Sequence, residues 1–93
     1  MNRAFKALSD PTRRQILFLL KSGDLSAGEI GENFAMTAAS VSHHLKELTT
    51  ARLVLRERQG QKIIYSLNTT VFEEVLTWFY QITGKDSFPV RRQ

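Results

Sequence analysis

"LSAGEIGENFAMTAASVSHHLKEL", Leu25 to Leu48, decides the fold, because it holds two helix starts separated by a turn. Ser26 precedes Glu29 by three positions. At that spacing each side chain satisfies the other residue's free backbone N–H at a helix N-terminus. Ile30 and Phe34 are then the expected buried pair of a short helix. A turn falls near Ala35 and Met36, and Thr37 caps a further helix through about Thr50. Two short helices either side of a tight turn give the outline of a helix-turn-helix.

The second of these helices carries both histidines of the chain, His43 and His44, side by side. At about 100° per residue, with Val41 at the centre of the buried face, Thr37, Leu45 and Leu48 fall beside it. Ala39, His43, Lys46 and Glu47 point away, Ser40 and Ser42 lie on the flanks, and His44 sits at the border near Thr37 and Leu48. The two rings diverge by about 100°, whereas helical metal pairs use i, i+3 or i, i+4 spacing to reach one ion. That argues against a shared metal, and no third ligand is in reach. The neighbouring serines have no acidic orienter and no glycine-rich oxyanion turn, so no nucleophilic or acid-base machinery is visible. His44 reads as a half-buried ring satisfied by a backbone or hydroxyl group. Thr37, Ala39, Ser40, Ser42, His43 and Lys46 offer small side chains, hydroxyls and a cation, which suits a major groove. The plainer alternative is an ordinary solvated face.

Upstream, "SDPTRRQILFLLKSG" places Asp10 at an N-cap and Pro11 at the first helical position. Ile16, Leu19 and Leu20 share a face with Leu17 alongside, and Gly23 stops the helix. Before it, Ala4, Phe5, Ala7 and Leu8 suggest a helix too short to stand alone. Downstream, "LVLRERQGQKIIYSL" switches to an alternating period with a hairpin tip at Gln59-Gly60-Gln61. Its arms carry Arg56, Glu57, Arg58 and Lys62. "NTTVFEEVLTWFYQITG" is a last helix from about Thr70 to Thr83, closed by Gly84. The expected organisation is one domain over residues 1–84 and a disordered tail over 85–93.

Composition narrows the classes. The 93 residues contain no cysteine, which excludes disulfides, thiolate redox chemistry and zinc fingers. The longest apolar run, Ile16 to Leu20, is far short of the roughly 20 residues of a membrane span, and no secretory pattern opens the chain. A cytoplasmic location is expected. Net charge is +4, and the stretch from Thr37 to Lys62 carries Lys46, Arg52, Arg56, Arg58 and Lys62 against only Glu47 and Glu57. A recognition-type helix followed at once by a basic wing points to DNA. Phe72, Val75, Leu76, Trp78, Phe79 and Ile82 spread over more than one face of the last helix, and Phe5 and Leu8 extend that patch. So small a chain is expected to cover such a surface with a second copy.

Taken in this order, "SDPTRRQIL", "LSAGEIGENF", "ASVSHHLKEL" and "QGQKIIYSL" resemble the ArsR family of bacterial winged helix-turn-helix repressors, over Ala4 to about Ile82. The similarity is strongest to its small, metal-independent autorepressor type. The resemblance implies a mainly α winged helix-turn-helix, about five helices with a two-stranded wing, paired through first and last helices. It also implies a recognition helix in the major groove, with Ser42 and His43 at DNA-contacting positions and His44 in a structural role. Arg56, Arg58, Gln61 and Lys62 fall on the wing. The cysteines that metal-sensing members carry in the motif's first helix, and the histidine and carboxylate sets others carry on the last, have no counterpart here. Arg52 stands where many relatives have glycine, which leaves that turn's backbone open.

The reading is thus a homodimeric repressor that binds a pseudo-palindromic operator in double-stranded DNA without a cofactor or metal and is not an enzyme. Its regulation would lie in abundance, in a sequestering protein partner or in an unrecognised ligand. A metal- or ligand-responsive repressor of the same fold and a winged-helix protein-association module are the alternatives.

Overall fold

The computed structural model describes residues 2–84. The elements are α1 (Asn2–Leu8), α2 (Pro11–Lys21), β1 (Leu25–Ser26), α3 (Ala27–Gly31), α4 (Ala38–Thr50), β2 (Val54–Gln59), β3 (Lys62–Leu67) and α5 (Thr69–Thr83). The tail expected from residue 85 lies outside the described residues.

The expected caps set the helix starts. The Asp10 carboxylate accepts the Arg13 backbone N–H at 3.0 Å, with Pro11 next to it. Ser26 and Glu29 form the reciprocal capping box, with Glu29 Oε1 accepting the Ser26 N–H at 2.8 Å and Ser26 Oγ accepting the Glu29 N–H at 3.2 Å. Thr37 Oγ1 accepts the Ser40 N–H at 3.1 Å and opens α4.

Several placements differ from the expectation. Phe34 lies beyond the end of α3, half-buried against the core, and is not the second member of a helical pair. The i→i−3 bonds of Asn33 to Ile30 and of Phe34 to Gly31 wind the chain into a turn that folds the ring back. Thr37 is exposed and not beside Val41, because its extended backbone, φ −70° and ψ 158°, takes it off the helical wheel. Glu47 is half-buried because α1 packs across that flank of α4. Helix α5 begins at Thr69, one residue early.

The core is formed by Ile16, Ile30, Leu45, Leu48, Leu53 and Val54, each less than 2% exposed. Ala4 and Ala7 are also buried, and their small side chains let α1 lie close against it.

The wing is part of a three-stranded antiparallel sheet in the order β1-β3-β2, not an isolated hairpin. Strand β1 pairs Leu25 with Tyr65 and Ser26 with Ile64. A two-residue strand leaves no alternation in the sequence to find. Between β2 and β3 the loop is Gly60 and Gln61, with Gly60 at φ +65° in the first loop position, where type II′ hairpin turns favour glycine.

Arg52 has a positive φ, +64°, a conformation that glycine would adopt without strain. Its N–H donates to Thr49 O and the Leu53 N–H to Leu48 O, each at 3.0 Å, so Arg52 is the left-handed residue that closes α4. The Asn68 side-chain amide, rather than capping α5, donates to the Arg52 carbonyl at 2.9 Å and fixes the turn. A Cβ in this region costs about 1–2 kcal/mol, part of which glycine's larger unfolded-state freedom offsets. Arg52→Gly should therefore raise the unfolding free energy by about 0.5–1 kcal/mol in urea titrations. A loss of stability would show that the arginine side chain contributes more than its backbone costs.

Candidate nucleic-acid interface

Helix α4 presents one buried stripe and one open one. Val41, Leu45 and Leu48 are buried, whereas Ala39, Ser40, Ser42, His43 and Lys46 are exposed, as is Thr37 ahead of them. Thr37 and Ser40 are partly occupied with each other, because the Thr37 hydroxyl donates to Ser40 Oγ at 3.1 Å while holding the cap. Ala39, Ser42, His43 and Lys46 form the outward stripe at helical spacing.

The two histidine rings diverge as expected, with centroids 5.9 Å apart and planes at 57°. His44 is half-buried, but its partner is neither a backbone nor a hydroxyl group. Arg13 Nη1 lies 3.3 Å from its Nδ1. A guanidinium only donates, so Nδ1 is the acceptor in this contact. The same guanidinium donates from Nε to Ala7 O at 2.9 Å and from Nη2 to Lys6 O at 3.4 Å. Sequence reading missed Arg13, since 31 positions separate it from His44 and only the fold brings them together.

The strand register divides the wing. Arg56 stands opposite Tyr65 and Arg58 opposite Ile63, so both guanidiniums leave from the face shared with buried Val54 and Tyr65. Lys62 pairs with Gln59 on the other face, and Gln61 is in the loop. All four expected wing residues are exposed but do not form one surface. Among the described residues, Lys46, Arg56 and Arg58 enter no ion pair. Glu29 is held below its ordinary pKa, chiefly by accepting the Ser26 N–H, with Lys62 a smaller contribution. Asp10 is likewise lowered, chiefly by the Arg13 N–H.

The residues expected to pair differ in their exposure. Leu76, Trp78, Phe79 and Ile82 are exposed on α5, at 40%, 38%, 47% and 61%. Phe5 joins them, its ring 5.1 Å from Trp78 and 6.0 Å from Phe79. Val75 does not belong there, since it points into the chain's own core at 6% exposure. Leu8 and Phe72 are half-buried and line a separate cleft with α2.

Residues 10–55 match the family described as bacterial regulatory protein, arsR family. The chain is 51% identical over 85 residues to the transcriptional repressor SdpR of Bacillus subtilis, covering 91% of this chain and 94% of that protein. Among solved structures, a crystal structure of an ArsR family transcriptional regulator superimposes with a TM-score of 0.83 at 28% identity, covering 89% of this chain and 86% of the other. The homodimeric winged helix-turn-helix DNA-binding domain from Mycobacterium bovis, solved by NMR, is similar with a TM-score of 0.71 at 26% identity, covering 99% of this chain and 84% of that one.

Removing the guanidinium tests the clasp. Arg13→Ala should cost about 1–3 kcal/mol in chemical denaturation, because it leaves half-buried His44 without its partner and removes the side-chain ties to Lys6 O and Ala7 O, which keep only their Ser9 and Asp10 donors. Arg13→Lys should recover less than half, since a point charge cannot reach three acceptors in a fork. Stability within error of the parent for both would show that the clasp is incidental.

Proposed function

This chain belongs to the ArsR family of bacterial regulatory proteins, and from that premise we propose that it is a homodimeric repressor binding a pseudo-palindromic operator. The observation that carries the reading is the outward stripe of α4, whose small, hydroxyl and cationic side chains stand free on a helix seated by its opposite face. Each protomer would lay α4 in a major groove, Ser42 and His43 toward base edges and Lys46 toward phosphate. Thr37, Ala39 and Ser40, at the start of that helix, would come nearest the backbone. The wing would follow, with Arg56 and Arg58 on one side and Gln61 and Lys62 at and behind its tip. Bound at a promoter, its own among them, the dimer would exclude polymerase.

Pairing is proposed through Phe5, Leu76, Trp78, Phe79 and Ile82, with Leu8 and Phe72 at the margin. The similarity to a homodimeric domain supports a second copy as the partner. No metal enters this reading. The sequence has no cysteine, and among the described residues no three His, Asp or Glu groups stand close enough to hold an ion. No helix of the described residues is long and apolar enough to cross a membrane. A regulator of promoter DNA would act in the cytoplasm.

Fluorescence anisotropy on operator and random duplexes, over a range of salt, separates the roles. Lys46→Ala and Arg58→Ala should weaken binding to both duplexes and each reduce the salt slope by about one. His43→Ala should cost about 1–3 kcal/mol on the operator and much less on random DNA. Unchanged slopes for both cation variants would remove them from the interface, and an equal loss on both duplexes would make His43 a phosphate contact. In sedimentation, Phe79→Glu should give a monomer. A persistent dimer would place the pairing surface elsewhere.

A further inference from the structure

We infer that the cleft between α1, α2 and the start of α5 is a binding site for a single-chain amphiphile with a hydrocarbon body and an anionic head. The cleft has a volume of about 470 Å³, within the range of small-molecule sites. Leu8, Leu17, Leu67 and Phe72 wall it, and Phe18, 72% exposed, stands at its mouth. Its surface is almost wholly apolar, so Arg14, Lys21 and Thr69 line it with carbon and keep their polar atoms at the rim. A polar body would lose its water there without gaining a partner, which restricts the body to hydrocarbon.

The rim selects the sign of the head. Both charged residues lining the cleft are cationic, and they sit two helical turns apart on α2. Arg14 Nη1 donates to Leu8 O at 2.7 Å, which holds the guanidinium over the end of α1 with its other donors unused among the described residues. Neither Arg14 nor Lys21 enters an ion pair among those residues. A carboxylate between them would gain charge-assisted hydrogen bonds while its chain leaves water. The residues lining the site are neither partners of the Arg13 guanidinium nor members of the outward stripe of α4.

Calorimetric titration of the full chain with decanoate, decanol and decyltrimethylammonium, each below its micelle concentration, tests this. Decanoate should saturate at one per chain and bind at least about tenfold more tightly than the cationic amphiphile, a difference of about 1.4 kcal/mol. The double variant Arg14→Gln, Lys21→Gln should lower decanoate affinity by about tenfold and leave decanol unchanged. Thr69→Trp, at an exposed position on the rim, should weaken both. Absence of saturable decanoate binding, equal binding of the cationic amphiphile, or indifference to both variants would overturn the site. Capture by phosphatidylglycerol vesicles without binding of free decanoate would overturn it in favour of a membrane surface. Conversion to a monomer by Phe18→Asp would do so in favour of a second copy.

Discussion

One guanidinium joins three helices. Arg13, in the first turn of α2, reaches two carbonyls at the end of α1 and the ring of His44 on α4. Its own backbone N–H meanwhile completes the Asp10 cap. A seven-residue helix does not hold itself together in water, so α1 depends on this grip and on the burial of Ala4 and Ala7. The contact with His44 also fixes rotation of α4 about its own axis. Val41, Leu45 and Leu48 would tolerate a small roll of that helix, whereas a directional bond at the edge of the buried stripe does not. The orientation of Ser42, His43 and Lys46 is set from the opposite side of the helix they stand on.

Ser26 supplies a second constraint of the same kind. It pairs with Ile64 in the sheet, and its hydroxyl and N–H close the capping box of α3. The helix-turn-helix and the wing therefore meet at one residue as well as through the core. Asn68 does the equivalent at the other end, holding the turn after α4 by its amide while its backbone N–H donates to Leu53 O. In the proposed complex, helix, wing and reading surface would therefore meet the operator as one connected unit.

What could be read from sequence was what is local. The Asp10, Ser26 and Thr37 caps act within three residues, and each fell where the spacing placed it. The outward stripe of α4 needed only helical periodicity, and the divergence of the two histidines followed from the same arithmetic. What escaped was the non-local or the very short. Strand β1 has two residues and no pattern, and the Arg13 to His44 contact spans 31 positions. Thr37 was misplaced because the wheel was extended onto a residue whose backbone is not helical. Val75 was assigned to the pairing surface because an apolar residue on an apolar helix carries no mark of which side it faces. The left-handed turn at Arg52 was a question that the arginine raised, since glycine would have answered it silently.

The position of α1 links the proposed pairing surface to the proposed reading surface. Its Phe5 ring stands against Trp78 and Phe79, so the patch on α5 is completed by a helix that Arg13 holds in place. In a dimer paired through this patch, the separation of the two α4 helices would be set by a path from Phe5 through the end of α1 and Arg13 to His44. Each link in that path is short and directional, apart from the aromatic cluster at its start. Half-site spacing on DNA is a geometric property of the dimer. It would therefore respond to changes at Arg13 or Phe5 even though neither lies on the outward stripe. This sets them apart from Lys46, whose loss would weaken contact without altering the span.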